Sequence, residues 1–405
     1  MTGDPAPRNA VRPCPQCAAV CVQTVHEGRY ILPSGHPLDP RVRVVACARC
    51  GFCFNDTPNT REDYDRYYRE ISKYADPRLS SGSGADSEDR QRLADTARAI
   101  RDCAESTDQR ILDIGCGAGG LLDSLAELGF QALAGMDPAP ACAAAVSERG
   151  HRGVVGTLDH HPLDHAAFDG VILSHVLEHV RDVSAALSSI ARLLTSQGWL
   201  YVEVPDAARY GECLIAPFQD FNLEHINHFS AQTLRNLLAV HGWEVVRHGA
   251  KTLRLPRGLG YPAIFVFARR AESPVAPPAV RATVALAEYV ATSTEHMQRI
   301  EQVLRAEVVG RPVVVWGVGQ FTMRLLAETS LGQATIVAFV DSNPVHHGRT
   351  LSGRPIVAPS ELAGHMNAPV PIVIGSLVNL ESIETSIRGQ GLTNQVIHLN
   401  VRGTA

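Results

Sequence analysis

Residues Arg110 to Gly120 read Arg-Ile-Leu-Asp-Ile-Gly-Cys-Gly-Ala-Gly-Gly, a short apolar run that ends in a glycine-rich turn. The run predicts a buried strand. The glycines permit backbone angles that other residues avoid, and they let the main chain approach a ligand at the strand's carboxyl end. Leu121 to Leu128 continues as a helix. A strand, a glycine turn and a helix in immediate succession point to a doubly wound, parallel α/β sheet. The following residues keep that alternation. Gln131 to Met136 is a second strand ending in Asp137, and Phe168 to His175 is a third. Ser184 to Leu194 is an amphipathic helix. Trp199 to Val204 is a further strand, ending at Pro205-Asp206.

The charges around the turn narrow the ligand. A lone Gly-x-Gly-x-Gly is shared with dinucleotide folds and is weak by itself. Asp113 stands two positions before the first glycine, where it would repel a pyrophosphate and would suit a cationic amino-acid ligand. Asp137 lies at the next strand end, 24 residues later. An acid there typically bonds a ribose diol.

Six of the ten cysteines fall in the first 53 residues. Cys14-Pro-Gln-Cys17 and Cys47-Ala-Arg-Cys50 are two C-x2-C knuckles, each presenting two thiolates on one side of a tight turn. Two such turns complete a tetrahedral zinc site with no open position, so the metal is expected to be structural. Cys21 and Cys53 are expected to be spare thiols, with Cys53 as the alternative ligand. This local usage fits a reducing, cytoplasmic setting, and not a disulfide-stapled secreted fold.

Four consecutive modules follow from these signals. Residues 1–75 form the zinc-binding module and a lid, 76–270 the core, 271–309 a connecting helix and 310–405 a second, smaller α/β unit. Arg61 to Lys73 reads as an amphipathic helix, Ser80 to Gly84 as a flexible loop, and Val280 to Val309 as one long helix. The last module opens on Pro312 to Gln320, another buried strand with a Gly-x-Gly turn, and its second strand ends at Asp341. It lacks a third fingerprint glycine, so it is expected to close over a substrate or to be structural. Within the core, Glu224, His225 and His228 stand close together just before Ser230, which caps a helix from Ala231 to His241. They are candidates for handling protons or for bonding a substrate; the alternative is that they only secure the helix entry.

Composition closes off other classes. The 405-residue chain carries 37 basic and 42 acidic side chains, a formal net charge of −5. That leaves no electrostatic footprint for nucleic acid. No apolar run approaches bilayer length, and Met1 to Arg12 has no apolar centre, so neither a membrane span nor a secretory signal is expected.

The set Asp113-x-Gly115-x-Gly117, Asp137, Phe168-Asp169, Leu177-Glu178-His179 and Gly198-Trp199 resembles class I S-adenosylmethionine-dependent methyltransferases, from about Arg110 to Arg269. The resemblance implies that Gly115 and Gly117 line the methionine end of the cofactor, with Asp113 near its ammonium. Asp137 takes the ribose hydroxyls, Thr157 or Leu158 lies near the adenine, and Ser174 completes the cofactor-binding set.

The order of modules resembles, more narrowly, bacterial sugar C-methyltransferases, which act on nucleotide-linked keto-deoxysugars in natural-product biosynthesis. The matching residues are the two knuckles, Tyr74 with Ser80-Ser81-Gly82-Ser83, Glu224-His225 with Phe229-Ser230, and Val340-Asp341-x-Asn343-Pro344. In that family the Glu-His pair sits by the sugar and a histidine or tyrosine is the candidate base. This implies His225 as the base, with Glu224, His179 and Tyr74 as further catalytic candidates. Asn222 stands where the family has tyrosine, and Arg254 to Gly260 replaces a His-Gly-Gly stretch. O- or N-methylation of another small natural-product intermediate is therefore the alternative. Either way, the expected partner is a small-molecule acceptor.

Overall fold

The computed structural model describes residues 8–72, 76, 82–84, 87–255, 259–271, 286–366 and 369–399. The N-terminal strands are β1 (Arg8–Asn9), β2 (Cys21–Arg29), β3 (Arg41–Cys47) and β4 (Cys53–Asn55). Two helices follow, α1 (Arg61–Glu70) and α2 (Ser87–Arg101). Thr60 and Asp63 start α1 with a reciprocal capping box, which satisfies two orphan amides at once.

The core then alternates as its sequence requires. Strands β5 (Ile111–Ile114), β6 (Leu133–Asp137), β7 (Arg152–Val155), β8 (Phe168–Ser174) and β9 (Leu194–Pro205) are joined through α3 (Gly120–Glu127), α4 (Pro140–Glu148) and α5 (Val183–Leu193). After the short β10 (Asn227–His228) and α6 (Ala231–Val240), two long strands close the core, β11 (Trp243–Leu255) and β12 (Leu259–Arg270). The seven-stranded sheet has the order β11-β12-β9-β8-β5-β6-β7. From β7 to β9 every neighbouring pair is parallel. β12 runs antiparallel to both β9 and β11, so the sheet is not parallel throughout as the sequence suggested. A hairpin can join adjacent antiparallel strands directly, whereas parallel neighbours need a crossover.

The cysteine-bearing strands form a separate sheet, ordered β1-β2-β3-β4-β10. Its last member comes from the core, 172 residues beyond β4 in the chain. Phe52 and Phe54 share one apolar cluster with Phe229, Leu234, Leu237, Leu238 and Trp243, and the Phe52 and Phe229 rings meet edge to face at 5.4 Å. The knuckles are thus part of the core's packing.

By contacts the chain falls into two compact units. One comprises residues 1–25, 44–213 and 224–285, the other residues 26–43, 214–223 and 286–405. These differ from the four consecutive modules of the sequence reading, because two short segments join the C-terminal unit. That unit contains α7 (Ala287–Glu307), α8 (Gln320–Glu328), α9 (Leu380–Gly389) and a six-stranded sheet. Its strands are β13 (Pro312–Trp316), β14 (Thr335–Val340), β15 (Thr350–Leu351), β16 (Arg354–Val357), β17 (Ile372–Ile374) and β18 (Val396–Ile397), in the order β15-β16-β14-β13-β17-β18. Among the described residues, no helix is long and apolar enough to cross a membrane.

Candidate active site and cysteine cluster

The glycine turn after β5 is built as its composition demands. Gly115, Gly117 and Gly119 all have positive φ, at 70°, 51° and 86°. A Cβ on Gly115 would lie 2.6 Å from Cγ2 of Val176, so this turn packs directly on the segment that follows β8. A Cβ on Gly120 would lie 2.5 Å from the Gly82 carbonyl, which accepts the Gly120 amide at 3.0 Å. Residues 82–84 of the expected loop are therefore tied to the start of α3, and Asp89 fastens them further by accepting the amides of Gly82 and Gly84; Ser80 and Ser81 lie outside the described residues.

Two buried carboxyls flank the turn. Burial, and then the nearby Asp137 charge, push Asp113 up to about 8. Burial raises Asp137 to about 6, although it accepts amides from Ala139 at 2.9 Å and Gly117 at 3.1 Å. Two acids held this way favour a cationic ligand, which would repay their lost solvation. A sulfonium and an ammonium on a nucleoside fit that donor set. The Gly156 amide donates to the Asp137 carbonyl, keeping Thr157 nearby. The Leu158 side chain joins the apolar core with Met136 and Val154. Ser174 is half-buried at the end of β8.

Beyond Ser174 the chain turns sharply, with His175 at φ 58°, and enters a short 3-10 turn over Leu177–His179. Here the structure assembles groups that sequence reasoning missed. His175 lies between two buried carboxylates, Nδ1 at 3.3 Å from Glu178 and Nε2 at 3.2 Å from Glu203. Burial opposes its charge, but the two acids outweigh that and raise it to about 9. Glu203 is completely buried near the C-terminal end of β9. Its carboxylate also meets Lys251 Nζ at 2.5 Å and the Tyr201 hydroxyl at 2.6 Å. Burial alone would raise Glu203; His175 and Lys251 instead hold it at about 2. The result is an alternating ladder of charges, Lys251, Glu203, His175 and Glu178.

The far end of the ladder reaches the expected histidines. His179 Nε2 is 3.9 Å from Glu178 Oε1. Its Nδ1 lies 2.9 Å from the Glu224 carbonyl. A carbonyl only accepts, so Nδ1 carries a proton, and in the neutral ring Nε2 has the lone pair. The rings of His179 and His225 are 5.0 Å apart, edge to face. Tyr67 donates to Glu224 Oε1 at 2.6 Å. The site therefore unites Glu224, His225 and His179, whereas Tyr74 lies outside the described residues. His228 faces inward beside the Tyr210 hydroxyl at 3.2 Å, and burial drops it to about 3. It is a neutral packing residue there. Glu178, His179 and His225 also bring possible metal-ligating atoms within 4.8 Å of one another. Glu178 already faces the His175 cation, which disfavours a second positive charge.

The cysteine knuckles mirror each other. Ala18 and Gly51, directly after the second cysteine of each, have φ 56° and 81°. Their amides donate to the Cys14 and Cys47 carbonyls, both at 2.9 Å. The Cys14–Cys50 and Cys17–Cys47 sulfurs are 3.5 Å apart. A tetrahedral zinc with bonds of about 2.3 Å spaces its sulfurs by about 3.8 Å, so all four thiols fit that ion.

A family model described as a methyltransferase domain matches residues 86–248, the stretch that holds the turn, both acids and the histidine segment. The chain carries a class I S-adenosylmethionine-dependent methyltransferase domain. This domain is similar to the ubiquinone biosynthesis O-methyltransferase of Bradyrhizobium sp. (strain ORS 278), with 37% identity over 102 residues, 23% of this chain and 38% of that one. It is also similar to a probable S-adenosylmethionine-dependent methyltransferase of Mycolicibacterium smegmatis, with 31% identity over 147 residues, 35% of this chain and 56% of that one. The chain spans 38% to 56% of the length of these curated relatives. Among solved structures, the 1,6-didemethyltoxoflavin-N1-methyltransferase of Burkholderia thailandensis is 20% identical, covering 59% of this chain and 99% of that one, with a TM-score of 0.39.

Proposed function

We propose that the chain transfers a methyl group from S-adenosylmethionine to a small metabolite, with the Glu224–His225 loop and His179 facing the acceptor. One observation carries the reading: Val176 packs on Gly115, so the segment holding Glu178 and His179 lies against the expected cofactor turn. Asp113 would hold the ammonium, Asp137 the ribose diol, and Gly115 and Gly117 the methionine chain, with Thr157, Leu158 and Ser174 completing the pocket. Bound S-adenosylmethionine supplies an electrophilic methyl group. The protein must align the acceptor with it and take up a proton.

His225 is the proposed base, with His179 Nε2 as the second basic position. Glu224, held by Tyr67, orients or bonds the acceptor. Tyr74 is kept as a further catalytic candidate. The four N-terminal cysteines hold a structural zinc. The module order favours a nucleotide-linked keto-deoxysugar methylated at carbon, where a base removes a proton beside a carbonyl and donors hold the enolate. The O-methyltransferase names of several relatives favour a hydroxyl acceptor instead. The cysteine usage, concentrated in two C-x2-C knuckles, favours a cytoplasmic location.

The test is methyl transfer from labelled S-adenosylmethionine to a panel of nucleotide-linked keto sugars and hydroxylated aromatics, with the methylated atom located by NMR. His225→Asn should keep S-adenosylhomocysteine affinity and cut turnover by roughly 10²–10⁴-fold. Wild-type turnover in that variant would move the base elsewhere.

A further inference from the structure

The Glu224–His225 loop and the Glu178–His179 turn come from different parts of the chain, yet their histidines must stand at a fixed spacing if both face one acceptor. Asn227 joins the two. It is 1% exposed, and its side-chain amide donates to the carbonyls of Leu177 at 3.0 Å and Val180 at 2.8 Å. Those carbonyls bracket Glu178 and His179. Its side-chain oxygen accepts from Arg12 Nη2 at 2.6 Å. An amide offers two donor hydrogens and one acceptor oxygen, and all three functions are used here. Neither aspartate nor leucine could reproduce that pattern.

Arg12 reaches the same point from the cysteine module, two residues before Cys14. Its Nη2 also lies 3.3 Å from the Ile226 carbonyl, and its guanidinium stacks over Phe54 at 5.0 Å. Asp56 fixes the backbone beneath it, accepting the amides of Val11 and Arg12 at 2.8 and 3.0 Å. The main chain repeats the connection. Asn227 and His228 pair with Phe54 and Cys53, the Asn55 amide donates to the Ile226 carbonyl at 2.9 Å, and the Ile226 amide donates to the Glu178 carbonyl at 2.8 Å. Among the described residues, Nε and Nη1 of Arg12 are buried without a hydrogen-bond partner. Burying a guanidinium incompletely satisfied costs several kcal/mol by general experience, and an apolar side chain would pack at lower cost. Such a residue is better explained by geometry than by stability.

We infer that Arg12 and Asn227 are positioning residues, a clamp through which the cysteine module sets the spacing of His179 and His225. The inference rests on the reading of those histidines as the acceptor-facing groups. Its consequence is that the cysteine module shapes the active site through the Arg12–Asn227 contact, in addition to packing beside it.

The test uses full-length protein labelled with ¹⁵N on histidine. His179→Asn and His225→Asn assign the two ring signals. Arg12→Met, which matches the bulk without the charge, should shift the His225 ring signals and lower kcat by roughly 10–100-fold, the scale of a displacement near 1 Å. Zinc content and S-adenosylhomocysteine affinity should stay within about threefold of wild type. Asn227→Asp keeps the acceptor for Arg12 but loses both donors to the turn, so it should shift the His179 signals more than those of His225. Unchanged ring signals in a folded Arg12→Met would overturn the clamp. If that variant does not fold, unchanged signals in Asn227→Asp would do so. Shifted signals with wild-type kcat would instead uphold the clamp and refute the assignment of these histidines to catalysis.

Discussion

Replacing Glu203 with glutamine should cost roughly 3 kcal/mol of folding free energy near neutral pH. The carboxyl is fully buried, and it is lowered from 4.5 to about 2 because His175 and Lys251 outweigh the burial that would raise it. At about 1.4 kcal/mol per pH unit, that displacement converts to roughly 3 kcal/mol. His175 shares part of this interaction, raised from 6.5 to about 9 against its own burial by Glu178 and then Glu203. The two values overlap in the Glu203–His175 contact and are not summed. Glutamine keeps the shape but removes the anion, leaving Lys251 and His175 without their shared partner; losing one member of a buried pair typically costs about 3–5 kcal/mol. The effect must depend on pH in a defined direction. The Glu203 contribution is present above 4.5 and lost as pH falls through about 2. The His175 contribution is fully present below 6.5 and lost as pH rises through about 9. The gap between wild type and variant should therefore be widest between about pH 5 and 6.5 and should narrow as pH rises through about 9. Urea unfolding across that range measures it. A gap below about 1 kcal/mol near pH 6, or an equal gap near pH 6 and pH 10, would refute the account.

Two further outcomes follow from the turn and the knuckles. Burial and the Asp137 charge hold Asp113 at about 8, and a bound ammonium should ionise it, so S-adenosylhomocysteine affinity should rise with pH by up to about tenfold per unit below 8 and level off above it. A flat profile by calorimetry would mean that the ammonium does not meet Asp113. Cys47→Ala should abolish the single tightly bound zinc and destabilise the whole core, since Cys47 shares its apolar cluster with Leu234 and Trp243; retention of one zinc per chain by elemental analysis would reassign the ligands.

Much of the core was legible because local signals and global packing agree there. The glycine turn, the acids at successive strand ends and the Ser230 cap each follow from short-range rules, and each occupies its expected place. The charge ladder was hidden, since Glu203 and Lys251 are far in sequence from His175 and Glu178 and only the pairing of β8, β9, β11 and β12 brings them together. Two clues were nevertheless present. Glu203 interrupts the apolar strand Trp199 to Pro205, and Lys251 is one of only two lysines in the chain, against 35 arginines. A carboxylate inside a buried strand demands a counter-charge, and that demand could have been stated before any partner was known. The clamp had no such signal. Arg12 and Asn227 are ordinary residues in sequence, and their role exists only through the addition of β10 to the cysteine-bearing sheet.

The two units share one chain that passes between them five times, after Val25, Arg43, Cys213, Leu223 and Ala285. The first unit is therefore complete in sequence at Ala285, whereas the second needs segments made long before its main part. Within the second unit, the Ile31 amide must wait for the Met323 carbonyl, and the Asp220 amide for the Tyr289 hydroxyl. Residues 26–43 of that unit lie between the two cysteine knuckles. During synthesis, both early segments must remain soluble and unaggregated while roughly the last third of the polypeptide emerges, a vulnerable interval in which chaperones commonly act. Cutting the gene at a conventional boundary near residue 285 would leave those segments permanently unsatisfied, so expression of an isolated core should begin with their replacement by short linkers.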